Sequence, residues 1–284
     1  MPAIYCDHNF IATALQEPDA YRNRLQELAH LGTVTFVLSP MHWVDAAEDQ
    51  DVARGNAKSD FMDSLQPRWL LDRRSIQRKE VTSRFYQFLG VNCDAPQIMG
   101  EIADVIFDLT GRRGDRSSRA FVNHFRGIGQ NHPLEQSLRQ GLVANNKNIE
   151  LFRKKKLTGA VAAKVQRLYI RQLLPDQTPA GLLVDETTKD NFVQQTQLED
   201  FPAIAIENRA TRDNWQHERP LSRNNFVDQQ HIIALPYVDS FLTDDKKLRS
   251  LVGRITANLP FQAAVLMTKA EFDNTYLPTT HPQC

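Results

Sequence analysis

Cysteine is scarce in this sequence, which places only Cys6, Cys93 and Cys284 among its 284 residues. Three widely separated cysteines are too few for a disulfide framework, and they lack the paired spacing of a zinc site. So low a cysteine content is typical of proteins from a reducing compartment, where disulfides rarely persist. We therefore expect a cytoplasmic protein without a disulfide framework.

The chain also lacks an excess of either charge. It contains 34 Lys and Arg residues and 34 Asp and Glu residues, so its formal net charge is zero. Such a protein has no global basic field to attract nucleic acid. A polyanion would have to bind a local basic patch instead.

Long apolar runs, an amino-terminal signal peptide, internal repeats and low-complexity tracts are missing as well. A membrane-spanning helix needs roughly 18 consecutive apolar residues, so we expect no membrane partner. The hydrophobic fraction of 41% is ordinary for a soluble globular protein. A chain of 284 residues suits one large domain or one domain with a sizeable insertion.

What the sequence does contain is a helix-then-strand unit over residues 225–245. Asn225 is a favourable N-cap, and Asp228 would fall in the first helical turn after it. Pro236 would end the helix, and the β-branched and aromatic run from Tyr237 to Leu242 predicts a buried strand. Three polar residues follow at the end of this strand, namely Thr243, Asp244 and Asp245.

Two amino-terminal segments also present acids. The apolar run Ala3–Cys6 predicts a first strand that leads directly into Asp7. Ser39-Pro40 predicts the start of a helix that carries Asp45 and Glu48. Simpler roles stay open for these acids: Asp7 would cap the helix that follows it, and the other two would be solvated helix residues.

Several of these acids are predicted to meet in space. A helix beside a parallel sheet runs opposite to the strands, so helix starts and strand ends share one edge of the sheet. Asp7, Asp228 and Asp245 would therefore meet at the carboxyl edge, where open α/β folds build their sites. Carboxylates brought together repel one another unless a cation or protons neutralise them. Hard divalent cations, which prefer oxygen ligands, are the natural occupants.

The middle of the chain, residues 51–199, is polar and helix-prone, with sparse strand signals and a predicted turn at Pro67–Leu70. We interpret it as a helical insertion. Its basic clusters lie within residues 73–79, 112–119 and 153–156. Aromatic residues stand near some of them, namely Phe85, Tyr86, Phe121 and Phe125. Basic groups interleaved with aromatic rings suit a nucleic-acid strand, whereas solvated helix faces with core aromatics are the alternative.

Four features follow one another along the chain: a strand ending in an acid, a Ser-Pro helix with an acid, an Asp-x-x-His unit and a Thr-x-Asp unit. They stand at Asp7, Asp45, Asp228-x-x-His231 and Thr243-x-Asp245. In this order they resemble PIN-like nuclease domains, over roughly residues 1–48 and 200–270. The resemblance implies a three-layer α/β/α fold around a parallel sheet. Its discontinuous core would comprise residues 1–50 and 200–284, with residues 51–199 as the insertion.

The resemblance also implies a chemistry. In that family, four acids bind Mg²⁺ or Mn²⁺, and a water molecule attacks a phosphodiester, usually of RNA. Carried over to this chain, the catalytic and metal-binding acids are Asp7, Asp45, Asp228 and Asp245. The second acid of the family is usually Glu, whereas here it is Asp45, with Glu48 one turn later.

Neighbouring residues would support these acids from just outside the ligand set. Thr243 would hold a metal-bound water through its hydroxyl, and Asp244 and Glu48 would stand beside the ligands. His231 lies one helical turn after Asp228, and two roles are open for it. It either orients Asp228 or is an ordinary hydrogen-bonded core histidine.

These interpretations favour a divalent-metal-dependent endoribonuclease whose insertion grips RNA, as a monomer or a homo-oligomer. One alternative is a haloacid-dehalogenase-like phosphatase with Asp7 as its nucleophile. That family has a second Asp two residues on, whereas this chain has Asn9. Another alternative is a degenerate PIN-like module that binds RNA without cleaving it.

Overall fold

The computed structural model describes residues 1–111, 117–154, 159–217 and 220–278, and every structural statement below concerns those residues. The strands are β1 (Ala3–Cys6), β2 (Thr35–Leu38), β3 (Arg68–Leu70), β4 (Met99–Gly100), β5 (Ser240–Leu242) and β6 (Val265–Met267). They form one six-stranded sheet in the order β4-β3-β2-β1-β5-β6. Neighbouring strands are parallel except for the antiparallel pair of β3 and β4.

Helices make up most of the remaining described chain. The α-helices are α1 (His8–Gln16), α2 (Asp19–His30), α3 (Pro40–Glu48), α4 (Val52–Ser64), α5 (Arg73–Phe88), α6 (Ile102–Thr110), α7 (Ser118–Ile128), α8 (Pro133–Arg153), α9 (Gly159–Leu173), α10 (Glu186–Gln195), α11 (Pro202–His217), α12 (Arg223–His231), α13 (Lys246–Thr256) and α14 (Lys269–Tyr276). Short 3-10 turns cover Gly129–Asn131, Leu198–Asp200 and Ile232–Ala234. Within the described ranges, none of the helices combines the length and apolar character needed to cross a bilayer.

The central strand β1 determines where a site can form. It pairs with β2 on one side, with Tyr5 opposite Val37, and with β5 on the other, with Tyr5 opposite Phe241. From β1 the chain steps outwards to β2 and β3, and later it returns to β5 and β6 on the opposite side. This reversal creates a topological switch point between β1 and β5, where the carboxyl ends of strands leave a crevice.

The α/β class and the largely parallel sheet are confirmed by the structure. Right-handed crossovers, which parallel strands almost always adopt, place α1–α4 on one face of the sheet and α13 on the other. The inner strands β1, β2 and β5 are largely apolar and buried, as expected when helices cover both faces. The predicted first strand is found over the same residues, Ala3–Cys6. The strand predicted over 237–242 is confirmed only from Ser240, because the Tyr237 N–H donates to the Ala234 carbonyl at 2.9 Å and closes a turn.

The predicted turn at Pro67–Leu70 is wrong, because Arg68–Leu70 forms strand β3. A strand of three residues is too short to show alternation in the sequence. Its position is fixed by tertiary packing instead, since Trp69 is fully buried and stacks on Trp43 with ring centroids 4.4 Å apart. The segment 51–199, interpreted as a helical insertion, therefore contributes both β3 and β4 to the sheet, although most of its described part is helical.

The aromatic residues near the basic clusters are mostly core residues. Phe85, Phe121 and Phe125 are all buried, so they offer no open face for stacking on a nucleobase. Several of the basic residues have acidic partners, in the pairs Arg73–Glu207, Arg119–Asp60 and Lys154–Glu150. Five further members, at 112, 113, 116, 155 and 156, lie outside the described residues. For these three aromatic residues, the alternative of packing in the core is confirmed.

Candidate metal centre

The helix that carries Asp228 begins earlier than predicted. Ser222 is its N-cap, since the Ser222 Oγ accepts the Asn225 N–H at 3.2 Å. The prediction of Asn225 as the cap is therefore wrong, and Asp228 lies beyond the first turn of α12. Serine and asparagine cap helices about equally well, so no local signal distinguished the two positions. Asp228 and His231 still share one side of α12 because they are three residues apart.

Asp45, in α3, lies at the centre of the site. Its Oδ2 is 3.3 Å from the Nε2 of His231 and 3.6 Å from the Nδ1 of His8. One ligand atom from each of these three residues lies within 4.8 Å of the other two. Ligand atoms bound to one ion at about 2.1 Å stand roughly 3 to 4 Å apart. The group is therefore compact enough to share a single metal ion.

The charge state of Asp45 follows from its neighbours. Burial favours its neutral form, but the hydrogen bond from His231 and the nearby His8 outweigh that effect and hold the pKa of Asp45 below its usual value. An ionised carboxylate between two imidazoles is a mixed oxygen and nitrogen donor set. Imidazole nitrogen is a typical ligand of first-row transition ions, whereas Mg²⁺ prefers oxygen alone. The residues present thus fit a divalent transition ion.

A buried hydrogen-bond chain fixes the orientation of His231. Its Nδ1 lies 2.5 Å from the hydroxyl of Tyr5, and that hydroxyl lies 2.7 Å from the Oγ of Ser39. All three side chains are buried, and burial raises the pKa of Tyr5 well above its usual value, so the hydroxyl stays protonated. Metal-binding histidines commonly have their second nitrogen held in this way. His231 therefore directs Nε2 towards Asp45, and it is buried and hydrogen-bonded, as the core-histidine alternative expected.

Asp7 has a structural role that the sequence left open. It is the N-cap of α1: its Oδ1 accepts the Phe10 N–H at 2.8 Å, and its Oδ2 accepts the hydroxyl of Thr243. The capping alternative is thus confirmed. Asp7 is only 1% exposed, and burial raises its pKa despite these hydrogen bonds. The Thr243 hydroxyl also accepts the Asp245 N–H at 3.1 Å, so it joins the ends of β1 and β5.

Asp228 and Asp245 complete the acidic surroundings of Asp45. Burial raises the pKa of Asp228, His8 and His231 lower it, and the negative charges of Asp45 and Asp245 raise it again. The carboxylates are therefore close enough to repel one another. Asp245 is also the N-cap of α13, where its Oδ1 accepts the N–H groups of Lys247 at 2.7 Å and Leu248 at 2.9 Å.

The two outlying acids are engaged by other partners. Glu48 forms an ion pair with Arg223, which also pairs with Glu135, and burial raises the pKa of Glu48. Asp244 is exposed, and its Oδ1 accepts the Lys269 N–H at 3.2 Å near the start of α14. Glu48 thus lies near Asp45 while it holds Arg223, and Asp244 holds the start of α14.

His8 and His42 are the residues that sequence reasoning missed. His8 directly follows Asp7 at the end of β1, so its place at the carboxyl edge was a usable signal. His42 also gave a signal, because it stands three residues before Asp45 and so shares its side of the helix. Its Nε2 lies 2.6 Å from the Cys6 carbonyl oxygen, and burial and His231 lower the pKa of His42 to about 3. His42 is therefore neutral and packs edge-on against His231.

Comparisons with protein-family models, with curated proteins and with solved structures find no match for this chain.

Proposed function

We propose that this protein is a divalent-metal-dependent nuclease that hydrolyses phosphodiester bonds of RNA through a PIN-like site. The observation that supports the proposal is the convergence on Asp45. Two histidines contact it from α1 and α12, and the carboxylates of Asp228 and Asp245 stand close by. The group occupies the carboxyl edge of the sheet at the switch point, where α/β proteins generally build their sites.

Asp45, His8 and His231 would hold the ion, with Asp228 and Asp245 beside it. A bound divalent ion lowers the pKa of water and neutralises charge on a phosphate. Of the two ions that the family resemblance implies, Mn²⁺ suits the imidazole nitrogens better than Mg²⁺ does. We therefore propose Mn²⁺ as the preferred ion.

The protein's own residues would position and protect the reacting groups. Tyr5 and Ser39 keep the His231 ring in one orientation, and Thr243 ties Asp7 to the end of β5. Asp228 is half-buried at the rim, where its carboxylate would orient the attacking water and accept its proton. Asp7 is too buried to meet substrate directly, so we assign it the role of holding α1 and Thr243 in place.

The phosphatase alternative has less support. It needs Asp7 as a nucleophile in contact with a phosphate, yet that carboxylate is 1% exposed and both of its oxygens accept hydrogen bonds. The alternative of an RNA-binding module without activity makes the same structural demands as the nuclease. A cleavage assay distinguishes the inactive RNA-binding module from the nuclease.

The test is a cleavage assay on the full chain with labelled single-stranded RNA, structured RNA and single-stranded DNA, in Mn²⁺, Mg²⁺ or EDTA. We expect RNA cleavage that needs a divalent ion and is faster in Mn²⁺. Asp45→Asn and Asp228→Asn should each lower the rate at least about 100-fold, more than the loss of an outer partner usually costs. Asp60→Asn, an exposed acid paired with Arg119 on the surface, is the matched control and should keep the rate.

Three results would contradict the nuclease proposal. Full activity in Asp45→Asn and Asp228→Asn would place the chemistry elsewhere. Hydrolysis of a phosphomonoester with no cleavage of RNA would favour the phosphatase. RNA binding without cleavage under any ion would favour the inactive module.

A further inference from the structure

A cavity of about 320 Å³ lies on the side of α12 that faces away from the candidate metal centre. With 3.6 residues per turn, Phe226, Gln229 and Gln230 point opposite to Asp228 and His231. Phe226, Gln229 and Gln230 line the cavity together with side chains of α8, α9 and α11. Its volume is within the range of small-molecule sites, which begins near 300 Å³.

Aromatic and aliphatic side chains form most of the cavity wall. The aromatic lining consists of Tyr169, Trp215 and Phe226, and the aliphatic lining includes Ile204 and Ile233. Flat rings of this kind bind a planar ligand through stacking and apolar contact. The wall therefore suits a flat, largely uncharged group.

One polar group in the wall is without a partner. The Nδ2 of Asn145 is buried and has no hydrogen-bond acceptor in the part of the chain that the structure describes. Asn145 itself is 7% exposed and lines the cavity. A buried donor left unsatisfied costs about 1 to 3 kcal/mol. A ligand that presents an acceptor at this point would recover that cost.

Several other polar groups around the cavity are paired with protein groups. Arg73 and Glu207, the charged residues among the described lining, form an ion pair. Gln166 donates to Asn208, and Gln229 exchanges two hydrogen bonds of 2.9 Å with Asn214. The cavity therefore offers amide edges without an unpaired charge, which disfavours a phosphate inside it.

We propose that this cavity binds a nucleobase, presented either by a free nucleoside or by a nucleotide of an RNA strand. Bases stack on aromatic side chains, and amide groups hydrogen-bond to their polar edges. Asn145 would donate to a ring nitrogen or a carbonyl oxygen of the base, while the sugar and any phosphate stay outside. The inference rests on the cavity alone and does not depend on the nuclease proposal.

Trp215 provides a direct readout of the binding. It lines the cavity, whereas Trp43 and Trp69 are fully buried and stack on each other elsewhere. The full chain, in EDTA, is titrated with adenosine, guanosine, cytidine and uridine while tryptophan fluorescence is recorded. Ribose 5-phosphate serves as the control without a base. We expect a saturable change with at least one nucleoside, none with ribose 5-phosphate, and no change in Trp215→Phe.

Asn145→Leu tests the hydrogen bond. Replacing an unsatisfied amide by an apolar group of similar shape removes the cost of the unpaired donor, so this variant should unfold at a temperature no lower than that of the wild type. It should bind the nucleoside roughly tenfold more weakly, the effect of losing one hydrogen bond. Asn123→Leu, on the exposed surface of α7, is the matched control and should leave the affinity unchanged.

A short RNA oligonucleotide, titrated in the same fluorescence assay, distinguishes the two sources of the base, a free nucleoside and a nucleotide of an RNA strand. Tighter binding than that of the free nucleoside assigns the cavity to an RNA strand, and weaker binding assigns it to a free metabolite. Absence of a response to all nucleosides overturns the proposal. So does equal affinity in wild type and Asn145→Leu, or a similar response to ribose 5-phosphate.

Discussion

Acidic side chains are neutralised differently at the sheet edge and in the helical part formed by α5, α8 and α11. In the helical part, several half-buried or buried acids meet guanidinium groups, in the pairs Glu207–Arg73, Glu135–Arg139 and Glu135–Arg223. At the edge, hydroxyl, backbone N–H and imidazole groups are the partners of Asp7 and Asp45. Among the residues that the structure describes, neither Lys nor Arg forms an ion pair with Asp7, Asp45 or Asp228.

The difference separates acids whose charge is matched within the chain from acids without a permanent counter-charge. A carboxylate paired with a guanidinium has its charge matched by that group. Carboxylates whose partners are hydroxyl, N–H and imidazole groups have no such permanent match, and they repel one another when they are ionised side by side. We propose that the edge accepts a cation, and we expect replacement of Asp228 and replacement of Glu207 to have opposite effects on stability.

Glu80, in α5, is an exception within the helical part, because a proton and not a guanidinium neutralises it, and its replacement is expected to have the largest effect. Its carboxylate accepts the Tyr237 hydroxyl and the Ala203 N–H at 3.1 Å, and burial outweighs these bonds to raise its pKa from 4.5 to about 7. The folded state thus holds this proton more tightly than the unfolded state. Its contribution to stability is complete below pH 4.5 and is lost as the pH rises through about 7.

Glu80→Gln should remove that pH dependence. A pKa difference of this size corresponds to about 3 kcal/mol, so the variant should be more stable than the wild type by up to that amount above pH 8 and similar at pH 4.5. Urea unfolding at a series of pH values measures the difference. A wild type whose stability is flat over that range, after correction with Glu199→Gln as the exposed control, would refute it.

Glu207→Gln should have the next largest effect and the opposite sign. Glu207 pairs with the half-buried Arg73 and accepts the Nε2 of Gln77 at 2.5 Å. A neutral amide would leave the guanidinium without a counter-charge, so the free energy of unfolding should fall by about 2 kcal/mol. Chemical denaturation at pH 7 measures this loss. Unchanged stability would mean that the ion pair is not a structural element of the helical part.

Short sequence patterns predicted those parts of the sheet edge whose structure depends on residues that are neighbours in the sequence. A short apolar run followed by Asp7 specified β1 and its helix cap, and Ser39-Pro40 specified the start of α3. Parallel-sheet geometry then predicted that Asp228 would lie near Asp245, whose negative charge contributes to raising the pKa of Asp228. These inferences needed only propensities and the direction of strands.

The rest depends on contacts between distant residues. Nothing near His231 in the sequence indicates that its two nitrogens meet Tyr5 and Asp45, which are 226 and 186 positions away. Strand β3 was missed because its burial against Trp43 is a tertiary effect. The start of α12 was misplaced because two good capping residues compete within four positions. Single-sequence patterns carry no information on any of these three choices.

Tyr5→Phe tests whether the neutral donors of the edge serve a metal. Removing this hydroxyl frees the His231 ring to turn, so Mn²⁺ affinity should fall about tenfold, which is the usual cost of losing an outer partner of a metal ligand. Calorimetric titration with Mn²⁺ gives the affinity. Tyr21→Phe, whose hydroxyl bonds Asp273 instead, is the control and should bind Mn²⁺ as the wild type does. Equal affinity in Tyr5→Phe and wild type would exclude His231 as a ligand held by Tyr5.

Asp228→Asn should have the smallest effect on the free energy of unfolding, and its sign should be opposite to that of Glu207→Gln. Because burial and the charges of Asp45 and Asp245 raise the pKa of Asp228, its ionised form at neutral pH opposes folding. A neutral amide should therefore raise the free energy of unfolding by about 1 kcal/mol in EDTA. In Mn²⁺ the order should reverse, since the wild type gains stability by binding the ion and the variant gains less.

Thermal unfolding with and without Mn²⁺ measures both differences in stability, with Asp244→Asn as the exposed neighbour for control. A variant that is less stable than the wild type in EDTA would place Asp228 among the structural acids and remove the distinction between the two regions.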